Sequence, residues 1–181
     1  MFKATIIISA LLLTACASYE RPSYVDEYKN ITSQEHNKTI PSGAIEKFVK
    51  LFSNLKAADL AEQVSAVYSD KIYFNDTLNT VNSRDEMLIY LKHTAENLEN
   101  YHFELIDHAI SGENLYLRWT MDIDFTALGK DIQSKSIGMS HLKFDDNGKI
   151  IVHQDYWDSV EAIYQHIPYM GYWVRKARSQ L

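Results

Sequence analysis

Apolar positions along the chain follow a helical period first and a strand period later. Ile45, Phe48, Val49, Phe52 and Leu55 recur at spacings of three and four, forming one apolar stripe just after Pro41-Ser42. A second short helix is expected behind Asp59, a residue type that caps helix N-termini, with Leu60, Val64, Val67 and Tyr68 facing inward. Residues 71–75 (K-I-Y-F-N) read as a short strand, which Asp76-Thr77-Leu78 leaves for a loop. Ser83-Arg84-Asp85-Glu86 is a capping box, in which the Ser and Glu side chains satisfy free backbone N–H groups. It opens a third helix carrying Met87, Leu88, Tyr90, Leu91, Thr94 and Leu98.

Beyond that helix the period becomes two. Residues 101–110 form a strand ending at Ser111-Gly112, and residues 115–125 show the cleanest alternation in the chain. Leu115, Leu117, Trp119, Met121, Ile123 and Phe125 take one face of it; Tyr116, Arg118, Thr120, Asp122 and Asp124 take the other. Leu128-Gly129-Lys130-Asp131 turns into a strand over 132–144, and Asp145-Asp146-Asn147-Gly148 turns into G-K-I-I-V-H-Q-D-Y-W-D-S (148–159). About three helices followed by an antiparallel meander predict an α+β fold, a curved sheet packed on N-terminal helices.

The last strand is unusual because neither face is simply apolar. Ile151, His153, Asp155 and Trp157 share one side; Ile150, Val152, Gln154 and Tyr156 share the other. Pairing Phe144 with Lys149 across the turn would set Ser140 opposite His153 and Gly138 opposite Asp155, about 5 Å apart at Cβ. The partner strand offers small residues on that face, Ser134, Ser136, Gly138 and Ser140. Small residues facing helices leave volume, and volume beside His, Asp and Trp is a pocket.

Composition narrows the function classes. The chain of 181 residues is 46% hydrophobic and 12% aromatic, enough for one globular domain with a core. Its net charge of −6 argues against a phosphate-tracking basic surface, and so against nucleic acid as a partner. Lys3 followed by the short apolar run 4–13 has the form of a secretory signal, too short to span a bilayer. Leu13-Thr14-Ala15-Cys16 resembles the lipobox of bacterial lipoproteins. That resemblance implies cleavage before Cys16, lipidation of its thiol, and attachment to the periplasmic face of the outer membrane, with Ala17 rather than Asp after the cysteine. Cleavage removes Lys3 and takes the net charge from −6 to −7. Cys16 is the only cysteine, so the domain would hold together without a disulfide. The expected organisation is a signal peptide (1–15), a polar tether (16–41), a folded domain (42–168) and a C-terminal extension (169–181).

Four landmarks, in order, resemble the nuclear transport factor two-like superfamily, which includes SnoaL-like proteins, ketosteroid isomerases and limonene epoxide hydrolases. They are A-A-D-L-A-E-Q-V-S-A-V-Y-S-D (57–70), Y-F-N-D-T-L followed by S-R-D, F-D-D-N-G-K-I, and H-Q-D-Y-W-D. The resemblance covers about residues 45–168 and implies a cone: a strongly curved sheet wrapped around helices, with a ligand cavity at the open end and dimerisation common. Fold alone does not decide function among such proteins.

The implied site residues are mixed. Asp76 matches the proton-abstracting Asp of the isomerases, but Phe48 and Ser140 stand where their oxyanion-binding groups would be, and such groups usually supply the largest stabilising effect. Asp155 matches one acid of the epoxide hydrolases, but Trp119 and Met121 replace their Arg and second Asp. The expected cavity is therefore largely apolar, lined by Phe48, Trp119, Met121 and Trp157, with Asp76, Ser140, His153 and Asp155 as its polar groups. Asp76 could be a general base with a pKa raised by desolvation, or a cap for the loop after its strand. His153 could assist Asp155 or be a hydrogen-bonded core histidine. Ser140, His153 and an Asp contain the ingredients of a nucleophilic triad without an oxyanion hole. Asp145-Asp146-Asn147-Gly148 lacks the bidentate Glu of a calcium loop, the scattered histidines lack metal-ligand spacing, and no cofactor is expected. The C-terminal I-P-Y-M-G-Y-W-V-R-K-A-R would close the cone or meet a partner subunit or the membrane surface. The two functional readings are a lipid-anchored domain binding a small, mostly apolar ligand with Asp76, Asp155 and His153 as acid–base groups, and a non-catalytic interaction module using the sheet's outer face.

Overall fold

The computed structural model describes residues 23–34, 39–167 and 169–180. The expected signal peptide and the lipid attachment site Cys16 lie outside the described residues. The elements run α1 (Tyr24–Thr32), α2 (Ala44–Ser53), α3 (Leu60–Val67), β1 (Tyr68–Asn75), β2 (Thr80–Ser83), α4 (Arg84–Asn97), β3 (Leu98–Ser111), β4 (Asn114–Ala127), β5 (Lys130–Phe144) and β6 (Ile150–Trp157). A π-helical turn (Val160–Tyr164) and α5 (Met170–Arg178) follow.

The six strands form one sheet in the order β2-β1-β6-β5-β4-β3. β3 to β6 make an antiparallel meander, and β1 joins the edge of β6 in parallel. β3, β4 and β5 are 14, 14 and 15 residues long, and strands of that length coil strongly under their own twist. Irregular register at Leu98/Asn100 and Leu105/Asp107 in β3 adds bends. The result is a curved, unclosed sheet whose concave face wraps α2, α3 and α4, the α+β cone expected from the periodicity.

The core lies inside that curve. Phe48 and Leu51 from α2, Val64 from α3, and Met87 and Leu91 from α4 are buried against Phe74, Leu115, Leu117 and Leu142 of the sheet. Each such side chain stabilises the fold by about 1.5–3 kcal/mol through removal from water. The capping box forms as expected: Glu86 N–H donates to Ser83 Oγ at 3.2 Å and Asn82 N–H to Glu86 Oε2 at 2.8 Å. Asp59 precedes α3, but its carboxylate accepts from the Gln63 side chain at 2.7 Å rather than from a helix N–H. The Asp145–Gly148 turn is held by Asp145 itself, whose Oδ1 accepts from the N–H groups of Asn147 and Lys149 at 2.9 Å.

Two expectations are corrected. The segment read as an aperiodic tether contains α1, which lies on the convex face of the sheet. Tyr28 Oη is 3.0 Å from His141 Nδ1, Lys143 Nζ donates to the Thr32 carbonyl at 3.0 Å, and Tyr73 Oη donates to the Tyr24 carbonyl at 3.3 Å. The apolar stripe behind these contacts is only three residues, Tyr24, Tyr28 and Ile31, set in a polar stretch, which is why the pattern missed the helix. The β5–β6 register also differs. Asp145 and Lys149 close the turn, so Phe144 faces Ile150, and a bulge then pairs Lys143 with Val152. Ser140 therefore stands opposite Asp155, and Gly138 opposite Trp157. A slip of two keeps every side chain on its expected face.

Candidate functional site

Alternate positions of the strands converge on the concave face. Trp119 and Met121 come from β4, Ser140 from β5, and His153, Asp155 and Trp157 from β6. Phe48 rises from α2, and Asp76 follows the last residue of β1. All eight border one cavity of about 330 Å³. Tyr90 of α4 and Tyr101 of β3 border it too; the sequence placed them on a helix stripe and a strand without marking either as a site residue. A larger open groove of about 790 Å³ between the β4–β5 turn and α5 contains none of the eight. Ile163, in the turn after β6, also borders the cavity, so the segment following the last strand helps to close the cone.

Gly138 lets Trp119 lie across β5: a Cβ at that position would overlap the indole ring. From there Trp119 Nε1 donates to Ser140 Oγ at 2.9 Å, and Ser140 Oγ donates to Asp155 Oδ1 at 2.5 Å. His153 Nε2 lies 2.8 Å from the same Oδ1, and its Nδ1 lies 2.7 Å from Tyr68 Oη. Tyr68 is fully buried, and burial, with Asp155 nearby, pushes its hydroxyl well above the usual phenol range. The phenol therefore keeps its proton and donates to Nδ1, which leaves the hydrogen on Nε2 aimed at Asp155.

This assignment excludes the nucleophilic triad. Ser140 gives its proton to Asp155, and His153 Nε2 carries a hydrogen of its own, so His153 cannot deprotonate Ser140. His153 is 1% exposed and packs edge-on against Phe48, Phe52 and Phe74, with ring centroids 5.4, 5.7 and 4.9 Å away. Both its nitrogens are engaged. Its contribution in this arrangement is to hold Asp155.

Asp76 combines both of its expected roles. Oδ1 accepts from the N–H groups of Leu78 and Asn79 at 2.9 and 2.7 Å, capping the loop. Oδ2 accepts from the Tyr90 hydroxyl. Trp157 Nε1 donates to the Asp76 carbonyl at 2.6 Å and pins the end of β1 beside β6. Asp76 is 6% exposed, and burial raises its pKa above the ordinary carboxylate value. The Tyr90 and backbone hydrogen bonds oppose that rise, and the charge of Asp155 adds to it.

Four donors bordering the cavity are committed elsewhere, while the Tyr101 hydroxyl, which burial keeps protonated, makes no hydrogen bond among the described residues. Ser140 donates to Asp155, Tyr90 to Asp76, Trp119 to Ser140 and Trp157 to a carbonyl. Among the described residues, no cluster of three His, Cys, Asp or Glu side chains could hold a metal ion.

A curved sheet closed over helices, with a carboxylate-bearing apolar cavity on its concave face, is the architecture of the nuclear transport factor two-like fold. Residues 45–153, more than half of the chain, match the SnoaL-like domain, and the protein belongs to that family. An NTF2-like protein of unknown function from Exiguobacterium sp. 255-15 superposes with TM-score 0.54 at 14% identity, over 64% of this chain and 98% of its own. An epoxide hydrolase of limonene-epoxide-hydrolase type from M. tuberculosis gives 0.50 at 17% identity, over 66% and 83%. A Catenulispora acidiphila protein with a ketosteroid isomerase-like fold, solved with trimethylamine, gives 0.56 at 12% identity, over 69% and 92%. At these identities the likeness is one of fold. No curated protein sequence matches the chain.

Proposed function

We propose that the protein is an envelope lipoprotein whose cone binds a small, mostly apolar ligand, with Asp76 and Asp155 available for acid–base chemistry of an isomerase- or hydrolase-like kind. One observation carries this reading: two carboxylates border a single apolar cavity, and among the described residues neither is paired with Lys or Arg. Burial raises the pKa of Asp76, which makes its carboxylate a stronger proton acceptor. His153 and Ser140 orient Asp155, while Phe48, Trp119, Met121 and Trp157 supply walls. Phe48 and Ser140 stand where the isomerases' oxyanion-binding groups would be, and the hydrolase route lacks its Arg. The carboxylates are therefore the groups this reading assigns to proton transfer, with the Tyr101 hydroxyl left as an uncommitted donor at the cavity. A filled cone would have favoured a non-catalytic module. The open cavity and the desolvated Asp76 favour the ligand reading.

Replacing Asp76 or Asp155 by Asn is expected to abolish turnover or to change ligand affinity at least tenfold. Native mass spectrometry of protein purified from its own envelope would supply the ligand for that assay. Unchanged binding in both variants would sink the site. For location, Cys16→Ser is expected to release the protein from membranes, and persistence in the membrane fraction would overturn the lipoprotein reading.

A further inference from the structure

The cavity has a charge that its apolar walls do not explain. Eight of its bordering side chains are Phe, Tyr or Trp, two are Asp, and none is Lys or Arg. Asp155 Oδ1 takes both hydrogen bonds, from His153 and Ser140, while Oδ2 accepts none among the described residues. Burial raises the pKa of Asp76, Tyr90 and Tyr101, which border the cavity, and of Tyr68 behind His153, and the field of Asp155 adds to each rise. An anionic ligand would meet that field with no cation to offset it. A neutral apolar ligand would fill the space and leave Asp155 Oδ2 without a partner beside apolar walls.

We infer that the ligand is an organic cation, a substituted ammonium whose apolar arms lie against the rings and whose charge faces Asp155 Oδ2. The inference rests on reading the cavity as a ligand site and adds the chemical class. Aromatic faces attract alkylammonium groups through their quadrupoles, more strongly once water is removed, and Trp is the best such surface. Trp119 and Trp157 share the cross-strand row next to that of Asp155 on the same face: Trp119 pairs with Gly138 and Gly138 with Trp157, while Ser140, two residues on, pairs with Asp155. A ring-walled pocket with one free carboxylate oxygen combines both means of holding an ammonium. At about 330 Å³ it lies at the small end of ligand pockets, which suits a compact amine.

The test compares two probes of one shape. Benzyl(2-hydroxyethyl)dimethylammonium and its carbon isostere, 3,3-dimethyl-4-phenylbutan-1-ol, would be titrated into the protein by calorimetry. The ammonium is expected to bind at least tenfold more tightly than the isostere, and Asp155→Asn to cut that ratio below threefold while the neutral probe still binds. Equal or tighter binding of the isostere would overturn the cation and leave the pocket standing. Binding of neither probe would overturn the cation together with the pocket. An undiminished ratio in both Asp155→Asn and Asp76→Asn would overturn the assignment of the charge to these carboxylates. Should Asp155→Asn not fold, the wild-type ratio and Asp76→Asn decide the matter.

Discussion

Two buried histidines occupy neighbouring strands on opposite faces of the same sheet, and their partners differ in kind. His153, on the concave face, sits between the Tyr68 hydroxyl and the Asp155 carboxylate. His141, on the convex face and 2% exposed, lies between Tyr28 Oη at 3.0 Å and Asn114 Oδ1 at 2.7 Å and stacks on Tyr116. One is tied to a charge that borders a cavity. The other joins neutral groups and fastens a helix. Lys143, whose charge acts on the second, is 3% exposed at its side chain and pairs with Glu113 at 2.5 Å. A buried imidazole on this fold thus serves the cavity or the outer layer according to whether a carboxylate lies beside it.

The contrast can be broken from either side. The largest effect is expected from His153→Ala, which opens a void among Phe48, Phe52 and Phe74 and leaves Tyr68 and Asp155 without their shared partner; urea unfolding should show a loss of about 4 kcal/mol. A loss below about 1 kcal/mol would mean that the inner network is incidental.

The outer histidine should reveal itself through pH. Burial, with Lys143 adding, holds His141 down to about 4, whereas an unfolded histidine takes its proton near 6.5. Between those values the unfolded chain binds more protons, so stability falls as pH drops from 6.5 toward 4, by about 3 kcal/mol in full. Unfolding at pH 7 and pH 4.5 should show the decline in wild type and a flatter profile in His141→Gln. The smallest change is Tyr28→Phe, which removes one hydrogen bond, about 1 kcal/mol, and should speed amide hydrogen exchange across α1 without altering the cavity.

The concave face was legible in the sequence because alternation is a direct record of it. Once 115–125 and 148–159 were read as strands, Trp119, Met121, His153, Asp155 and Trp157 had to share a side. A register error of two residues left that unchanged while reassigning Ser140 from His153 to Asp155. Which groups touch was therefore less legible than which groups share a wall. Tyr68 and Tyr90 escaped notice as site residues because their rings count as apolar in a helical stripe, and only the folded geometry shows where a hydroxyl ends. The convex face was least legible. α1 docks through Tyr28, Thr32 and the backbone, contacts between residues more than a hundred positions apart in the case of His141 and Lys143, and no local pattern encodes them.

The docking of α1 also sets a length. Were Cys16 the point of attachment, as proposed above, the chain between anchor and rigid body would run only to Tyr24, a stretch that could reach at most about 28 Å. Were α1 free, the leash would run to Ala44 and reach about 95 Å. On the lipoprotein reading proposed above, the docking of this nine-residue helix would shorten the working radius of the domain more than threefold.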